Sequence, residues 1–265
     1  MGRLNRLLTT WCCVVGLIAL TSTIAETQGP PDHAGGGDPK TISECQIIDE
    51  LGPYVVINNL PGPGGLLTGA EADWVDPGDC IAIDSENVAM DGQGFLMTGD
   101  GSDDGAGDGV RINSAGGVSE YIEIRNLNIT GFERAVDLEG AFFSVIENVS
   151  ALSSANHGIT IHSGQSNRVV NNNSIGNGVA GIRVSLRSIV SNNITNGNGG
   201  VGLFADRGSI LTGNTSNLND GDGIAVTCPG LVESNVAIEN GQIAGDNLDL
   251  NEAGGDCVTV NNVAP

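Results

Sequence analysis

Lysine is all but missing from this 265-residue chain. Lys40 is the only one, and lysine and arginine together number 10 against 32 aspartates and glutamates. A net charge of −22 repels phosphate backbones and anionic lipid, so nucleic acid is excluded as a partner, and so is a membrane once an export signal is removed. It also repels a polyanionic glycan, except at a local basic patch or beside a bound cation. Aromatic residues make up 3% of the chain, which restricts sugar stacking to a few rings; Trp74, Phe132 and Phe204 are the main candidates. Beyond Leu20 no hydrophobic run is long enough to span a bilayer. Helical repeats are excluded as well, because 41 glycines and recurrent Asn-Gly and Asp-Gly pairs would stop each helix within a few turns.

What the chain has instead is a repeat. Asn126, Asn148, Asn172, Asn193, Asn214 and Asn235 recur at intervals of 21 to 24 residues. In step with them run Gly109-Val110-Arg111-Ile112, Ala135-Val136-Asp137-Leu138, Gly158-Ile159-Thr160-Ile161, Gly181-Ile182-Arg183-Val184, Gly202-Leu203-Phe204-Ala205, Gly223-Ile224-Ala225-Val226 and Asn247-Leu248-Asp249-Leu250. A small residue or Asn followed by apolar, variable, apolar is a short strand entered through a turn. Each repeat is therefore one coil of an all-β solenoid, with about 8–10 coils expected between residues 41 and 265. Asn tolerates left-handed turn geometry, and turns stacked about 4.8 Å apart let side-chain amides hydrogen-bond from coil to coil. That explains the Asn register, and with it the glycosylation-type triplets at Asn128, Asn148, Asn172, Asn193 and Asn214, better than modification does.

Residues 1–25 carry Arg3 and Arg6, an apolar run from Trp11 to Leu20 and a Thr23-Ile24-Ala25 ending, the pattern of a cleaved export signal. A periplasmic or extracellular protein is expected. Residues 26–40, rich in Pro and Gly, read as a disordered linker. Four cysteines follow, Cys45 and Cys80 near one end and Cys228 and Cys257 near the other. Coils of a solenoid touch only their neighbours, so the expected disulfides are Cys45 with Cys80 and Cys228 with Cys257. Zinc would require closer cysteine spacing or accompanying histidines. The irregular stretch from Pro61 to Gly78 is expected to loop off or to cover the first coils, whose strand edges need a cover.

The segments Cys45-Gln46, Gly52-Pro53-Tyr54-Val55-Val56, Gly78-Asp79-Cys80-Ile81-Ala82-Ile83 and Val88-Ala89-Met90-Asp91-Gly92-Gln93-Gly94-Phe95, followed by the Asn-rich coils, resemble secreted right-handed parallel β-helix proteins. That superfamily includes pectate lyase-like enzymes and NosD-type periplasmic proteins. The resemblance covers nearly all of residues 45–260 and implies a single-stranded right-handed parallel β-helix. For function it implies less, because the fold hosts lyases, hydrolases, epimerases, adhesins and inert scaffolds. Asn156-His157-Gly158-Ile159 looks like the His-Gly-Ile segment of polygalacturonase-type hydrolases, without their preceding aspartate segments. Copper, implied by the NosD likeness, needs imidazole or soft ligands that His33, His157 and His162 do not supply in number.

Alternation along each strand puts the variable residue and the residue after the second apolar one outside. One outward column is then Arg111, Asp137, Thr160, Arg183, Phe204, Ala225 and Asp249; the other includes Glu139, His162, Ser185 and Asp206. Asp137, Glu139, His162 and Arg183 are the candidate catalytic residues, with Arg111, Phe204 and Asp206 as candidate substrate binders. In elimination on a uronate, His162 or Arg183 would remove the proton alpha to the carboxylate that Arg111 binds. In hydrolysis, Asp137 and Glu139 would act as acid and base or nucleophile; at about 6–7 Å apart they sit between the retaining and inverting spacings. The same charges could instead pair across coils with no chemistry. Asp100, Ser102, Asp104 and Asp108, with Gly105, follow a calcium-loop spacing up to Arg111, which stands where a bidentate Glu belongs, and make Asp100, Asp103, Asp104 and Asp108 the candidate metal ligands; a solvated acidic insertion is the other account. The expectation is thus an exported, monomeric β-helix that binds or processes a polysaccharide or cell-surface glycan along its strand face, with calcium as the one conceivable cofactor. The alternative is a non-catalytic surface scaffold.

Overall fold

The computed structural model describes residues 38–60, 66–69, 72–101, 107–112, 119–241 and 245–265, the side chain of Glu252 excepted. The chain winds through three parallel sheets. One has ten strands, from Lys40–Ile42 to Val258–Val260, and a second has seven, from Leu96–Thr98 to Val236–Ile238. The third carries the seven strands of the predicted register, preceded by two more, in sequence order: β1 (Gln46–Ile48), β2 (Ile81–Ile83), β3 (Val110–Ile112), β4 (Val136–Phe142), β5 (Ile159–Gln165), β6 (Ile182–Val184), β7 (Leu203–Ala205), β8 (Ile224–Thr227) and β9 (Leu248–Asn251). A two-residue strand, Ser119–Glu120, pairs with the far end of β4. The architecture is that of a right-handed parallel β-helix, as the repeat and the resemblance led one to expect. No helix among the described residues is long and apolar enough to cross a membrane. The first strand begins at Lys40, one residue inside the stretch read from sequence as linker.

Period-two patterning explains the winding. In β3 to β8 the flanking apolar residues, from Val110 and Ile112 to Ile224 and Val226, are all at most 2% exposed and form one continuous core with the inner residues of the other two sheets. Burying each such Ile, Leu or Val contributes about 2–3 kcal/mol, and no coil could bury its own without the next. Both expected disulfides are present, Cys45–Cys80 and Cys228–Cys257.

The asparagine register is two columns, not one. Asn126 and Asn148 occupy left-handed turn positions (φ 55° and 54°), and their equivalents in the following coils are Asn171 and Asn192. Asn172, Asn193, Asn214 and Asn235 stand one position later and are buried. Asn193 Oδ1 accepts from both the N–H (2.9 Å) and the side-chain amide (3.0 Å) of Asn172, whose amide also donates to the Ile146 carbonyl (3.0 Å). Asn214, Asn235 and Asn262 repeat the pattern. The one 24-residue interval, from Asn148 to Asn172, marks the shift, and it falls in the longer coils that hold the two seven-residue strands β4 and β5. A second buried ladder, from Asn177 through Asn198 and Asn219 to Asn240, lines the turn that leads into the β1–β9 sheet.

Burial predicts how unequal these asparagines are. Asn193→Ala strands the N–H and one amide hydrogen of Asn172 in the core and should cost about 2–3 kcal/mol, whereas Asn148→Ala, exposed and joined to Asn126 by a 3.3 Å bond, should cost about 1 kcal/mol, set mainly by the left-handed turn. Urea denaturation of the two variants measures the difference; equal losses would contradict the two-column assignment.

The Pro61–Gly78 excursion does cover the first coils, as far as it is described. Leu67 and Val75 pack on Ala82, on the outer face of β2, with Ile47, Ala72 and Trp74 around them. That lid ends one strand short of Arg111 and delivers Asp76 to it, and Asp79, in the turn that follows, lies beside the same guanidinium.

Candidate active site on the β2–β7 face

Strand pairing confirms the first outward column residue by residue. Ala82 pairs with Arg111, Arg111 with Asp137, Asp137 with Thr160, Thr160 with Arg183, and Arg183 with Phe204. Glu139 pairs with His162 in the second column. A further charged column stands in the turn three residues earlier. The N–H groups of Cys80, Gly109 and Ala135 donate to the carbonyls of Asp108, Arg134 and His157, which stacks Asp79, Asp108, Arg134 and His157 in line. The sequence carries this signal, since each residue stands directly before the small residue that opens a strand, but it shows only once the coils are aligned.

The two columns interlock. Asp108 is 1% exposed and lies between Arg134 (Nε to Oδ1, 3.1 Å) and Arg111 (Nη1 to Oδ2, 4.0 Å), with hydrogen-bonding geometry to neither. Arg134 Nη1 donates to Asp137 Oδ2 at 2.7 Å. The other oxygen, Asp137 Oδ1, faces His162 Nε2 at 3.4 Å. Arg111 pairs with Asp76 from the lid and lies 3.7 Å from Asp79. Thr160, next to Asp137 on β5, is fully buried with its hydroxyl unpartnered.

Burial drives the ionisation of this cluster. It pushes the Asp108 carboxyl up to about 8; Arg134 opposes the shift, and Asp137 and Asp79 add to it. Asp137 is also raised by burial, with Arg134, His162 and Arg111 pulling the other way. Asp79 is raised for the same reason, against hydrogen bonds from the N–H groups of Asp108 and Asp76. His157 is driven down to about 4 by burial, aided by the charges of His162 and Arg183; its Nδ1 accepts from the Ala180 N–H at 3.2 Å. It serves the turn.

The predicted residues therefore fall into four groups. Asp137, Glu139, His162 and Arg111 come together on β3, β4 and β5, with Asp137 buried, Glu139 exposed and His162 partly exposed. Arg183 lies beyond Thr160, exposed, with its guanidinium 5.4 Å from the Phe204 ring centre. Asp206 turns back to accept from the Arg207 N–H at 2.7 Å. Of the four aspartates read as a calcium loop, Asp103 and Asp104 lie outside the described residues; Asp100 is exposed, and Asp108 is buried between arginines. Among the described residues no three His, Cys, Asp or Glu side chains are grouped to hold a metal ion. Arg134, Asp76 and Asp79 were not anticipated.

What the face can do follows from what it exposes. Asp137 is held by Arg134 on one oxygen and aims the other at His162, an arrangement that orients an imidazole for proton transfer. Glu139 and Arg183 lie open and Phe204 partly so, offering a carboxylate, a cation and a ring.

No protein-family profile matches the sequence, and no curated protein does. Among solved structures the chain is similar to the Dettilon tailspike protein, gp208, at 14% identity and a TM-score of 0.53, over 74% of this chain and 42% of that one. It is also similar to DFA-IIIase from Arthrobacter chlorophenolicus A6 without its lid, at 14% identity and a TM-score of 0.51, over 69% of this chain and 47% of that one. The same lidless enzyme in complex with GF2 matches at 15% identity and a TM-score of 0.50. The chain spans less than half the length of each. At such identities the likeness concerns the winding alone: this is a right-handed parallel β-helix protein.

Proposed function

We propose that this chain is an exported protein that binds a uronate-containing polysaccharide along the β3–β7 face and eliminates across its glycosidic bond, with His162 as the base. The observation that carries this reading is the partly exposed His162 imidazole, set against a buried carboxylate that Arg134 fixes from behind. With Nε2 turned to Asp137, His162 Nδ1 takes the proton alpha to the sugar carboxylate, the electron pair forms the new double bond, and the glycosidic oxygen leaves and takes up a proton from solvent. Arg183 is the exposed cation that neutralises the sugar carboxylate, since Arg111 is occupied by Asp76. A local cation is what a chain of charge −22 needs to accept a polyanion. Hydrolysis by Asp137 and Glu139 is less favoured, because Asp137 is buried, with one oxygen bonded to Arg134 and the other facing His162. Two disulfides accord with an oxidising compartment outside the cytoplasm, and both solved relatives, a tailspike and a protein named as an enzyme, accord with a β-helix face put to use.

The competing reading is a non-catalytic scaffold. It is favoured by how completely Arg111 and Arg134 are engaged by neighbouring carboxylates. Incubation with pectate, alginate and neutral glycans, with and without calcium, separates the two. Ultraviolet absorbance of the unsaturated product should rise with a uronate polymer alone, and Arg183→Ala should weaken its binding about tenfold, the weight of one charge-assisted contact. No turnover and no binding on any polymer would leave the scaffold.

A further inference from the structure

We propose that Tyr121, Phe142 and Phe143 form a platform on which a sugar ring of the bound polysaccharide stacks, at a second contact away from His162. The proposal rests on the polysaccharide reading above and extends it to a distal subsite. The whole chain has five Phe, two Tyr and two Trp, yet three of these nine gather at the corner where β4 turns into the neighbouring sheet. The Tyr121 and Phe143 rings stack with centres 5.6 Å apart and planes at 19°, and Phe142 leans on Phe143 at 6.4 Å.

Backbone conformation sets a cost on this placement. Tyr121 and Phe143 have φ of 58° and 53°, and they occupy one stacked turn position whose other occupants are Asn87, Ser166, Arg187 and Gly208. A left-handed conformation suits Asn and Gly and is unfavourable for a bulky aromatic residue. Burial of the ring would normally offset that cost, but Phe143 is 43% exposed. Two rings held in strained backbone, stacked and partly open to solvent, point to a role for the ring faces.

Position selects the occupant. Phe142 ends β4, three residues beyond Glu139, the strand partner of His162, which is about 10 Å of backbone. It pairs with Gln165 at the end of β5, whose side-chain oxygen accepts from exposed Arg187 Nη1 at 3.0 Å. A glycan laid from His162 along β4 and β5 thus reaches an aromatic surface fringed by an amide and a guanidinium, suited to a ring face and to its hydroxyl or carboxylate groups.

The test is oligosaccharide affinity against chain length. Oligogalacturonates from dimer to octamer are titrated calorimetrically into the wild type, Phe143→Asn and Tyr121→Asn, with thermal melting and sizing chromatography on each. The wild type should gain affinity once the oligomer is long enough to bridge both contacts. Each Asn variant should lose that gain, about five- to tenfold, while keeping the dimer affinity and an equal or higher melting temperature, since Asn suits the turn. A length dependence retained in both variants, or absent from the wild type that still binds the dimer, overturns the platform and leaves the His162 site standing. A wild type that dimerises through these rings and becomes monomeric as Phe143→Asn would overturn it in favour of self-association. No binding by any oligomer removes the platform together with the polysaccharide reading.

Discussion

His162→Ala should lower turnover of the uronate polymer by about 10²- to 10⁴-fold with little change in KM, the loss expected when a positioned base is removed and binding survives. Asp137→Asn should fall in the same range, because the amide still reaches Arg134 through its oxygen but presents an N–H where His162 Nε2 met a carboxylate. Arg183→Ala acts differently and raises KM. Steady-state kinetics on the three variants separates the roles. Full activity in both His162→Ala and Asp137→Asn would sink the proposed chemistry, even if the polymer still bound.

Stability should be nearly level from about pH 4 to 6 and decline by about 1.5 kcal/mol between pH 6.5 and 8, and one carboxyl should account for the decline. Asp108 titrates at about 8 in the folded protein and near 3.9 when unfolded. Between those values the folded state holds a proton that the unfolded state has released, so stability falls as pH rises, by about 1.4 kcal/mol per unit at most. His157 works with the opposite sign. Its folded value of about 4 lies below the unfolded value near 6.5, so the unfolded state binds the extra proton and stability rises across that window. The two slopes oppose each other up to about pH 6.5, beyond which Asp108 acts alone. Asp79 and Asp137, also raised by burial, add to the Asp108 direction in the lower part of the range. Urea midpoints at pH 6.5 and 8 should therefore converge in Asp108→Asn and differ in the wild type. A wild type equally stable at both would show that Asp108 is ionised in the fold.

Both predictions depend on one feature of the winding: residues some 20 to 26 positions apart in sequence become hydrogen-bonded neighbours, and side chains three positions apart in the turn and strand close on each other. Asp108, Arg111, Arg134, Asp137 and His162 span 54 residue numbers and form one ionic cluster.

By itself the sequence determined the winding, the column from Arg111 to Phe204 and both disulfides. Alternation of period two and neighbour-only contact between coils are local rules, and they leave a repeat this regular one way to bury Val136, Ile159 and Ile182. It also contained, in the single 24-residue interval, the point at which the asparagine register splits. Tertiary structure alone decided how open each outward position is. Thr160 and Asp137 point away from the core and are nonetheless buried, because flanking side chains from adjacent coils close over them, and Arg111 is claimed by Asp76 from an irregular lid that no periodicity describes. Periodicity fixes which way a side chain leaves the backbone. What it meets there depends on neighbours in other coils and on the lid, and those neighbours set the charge state of Asp108 and leave His162 as the exposed member of the cluster.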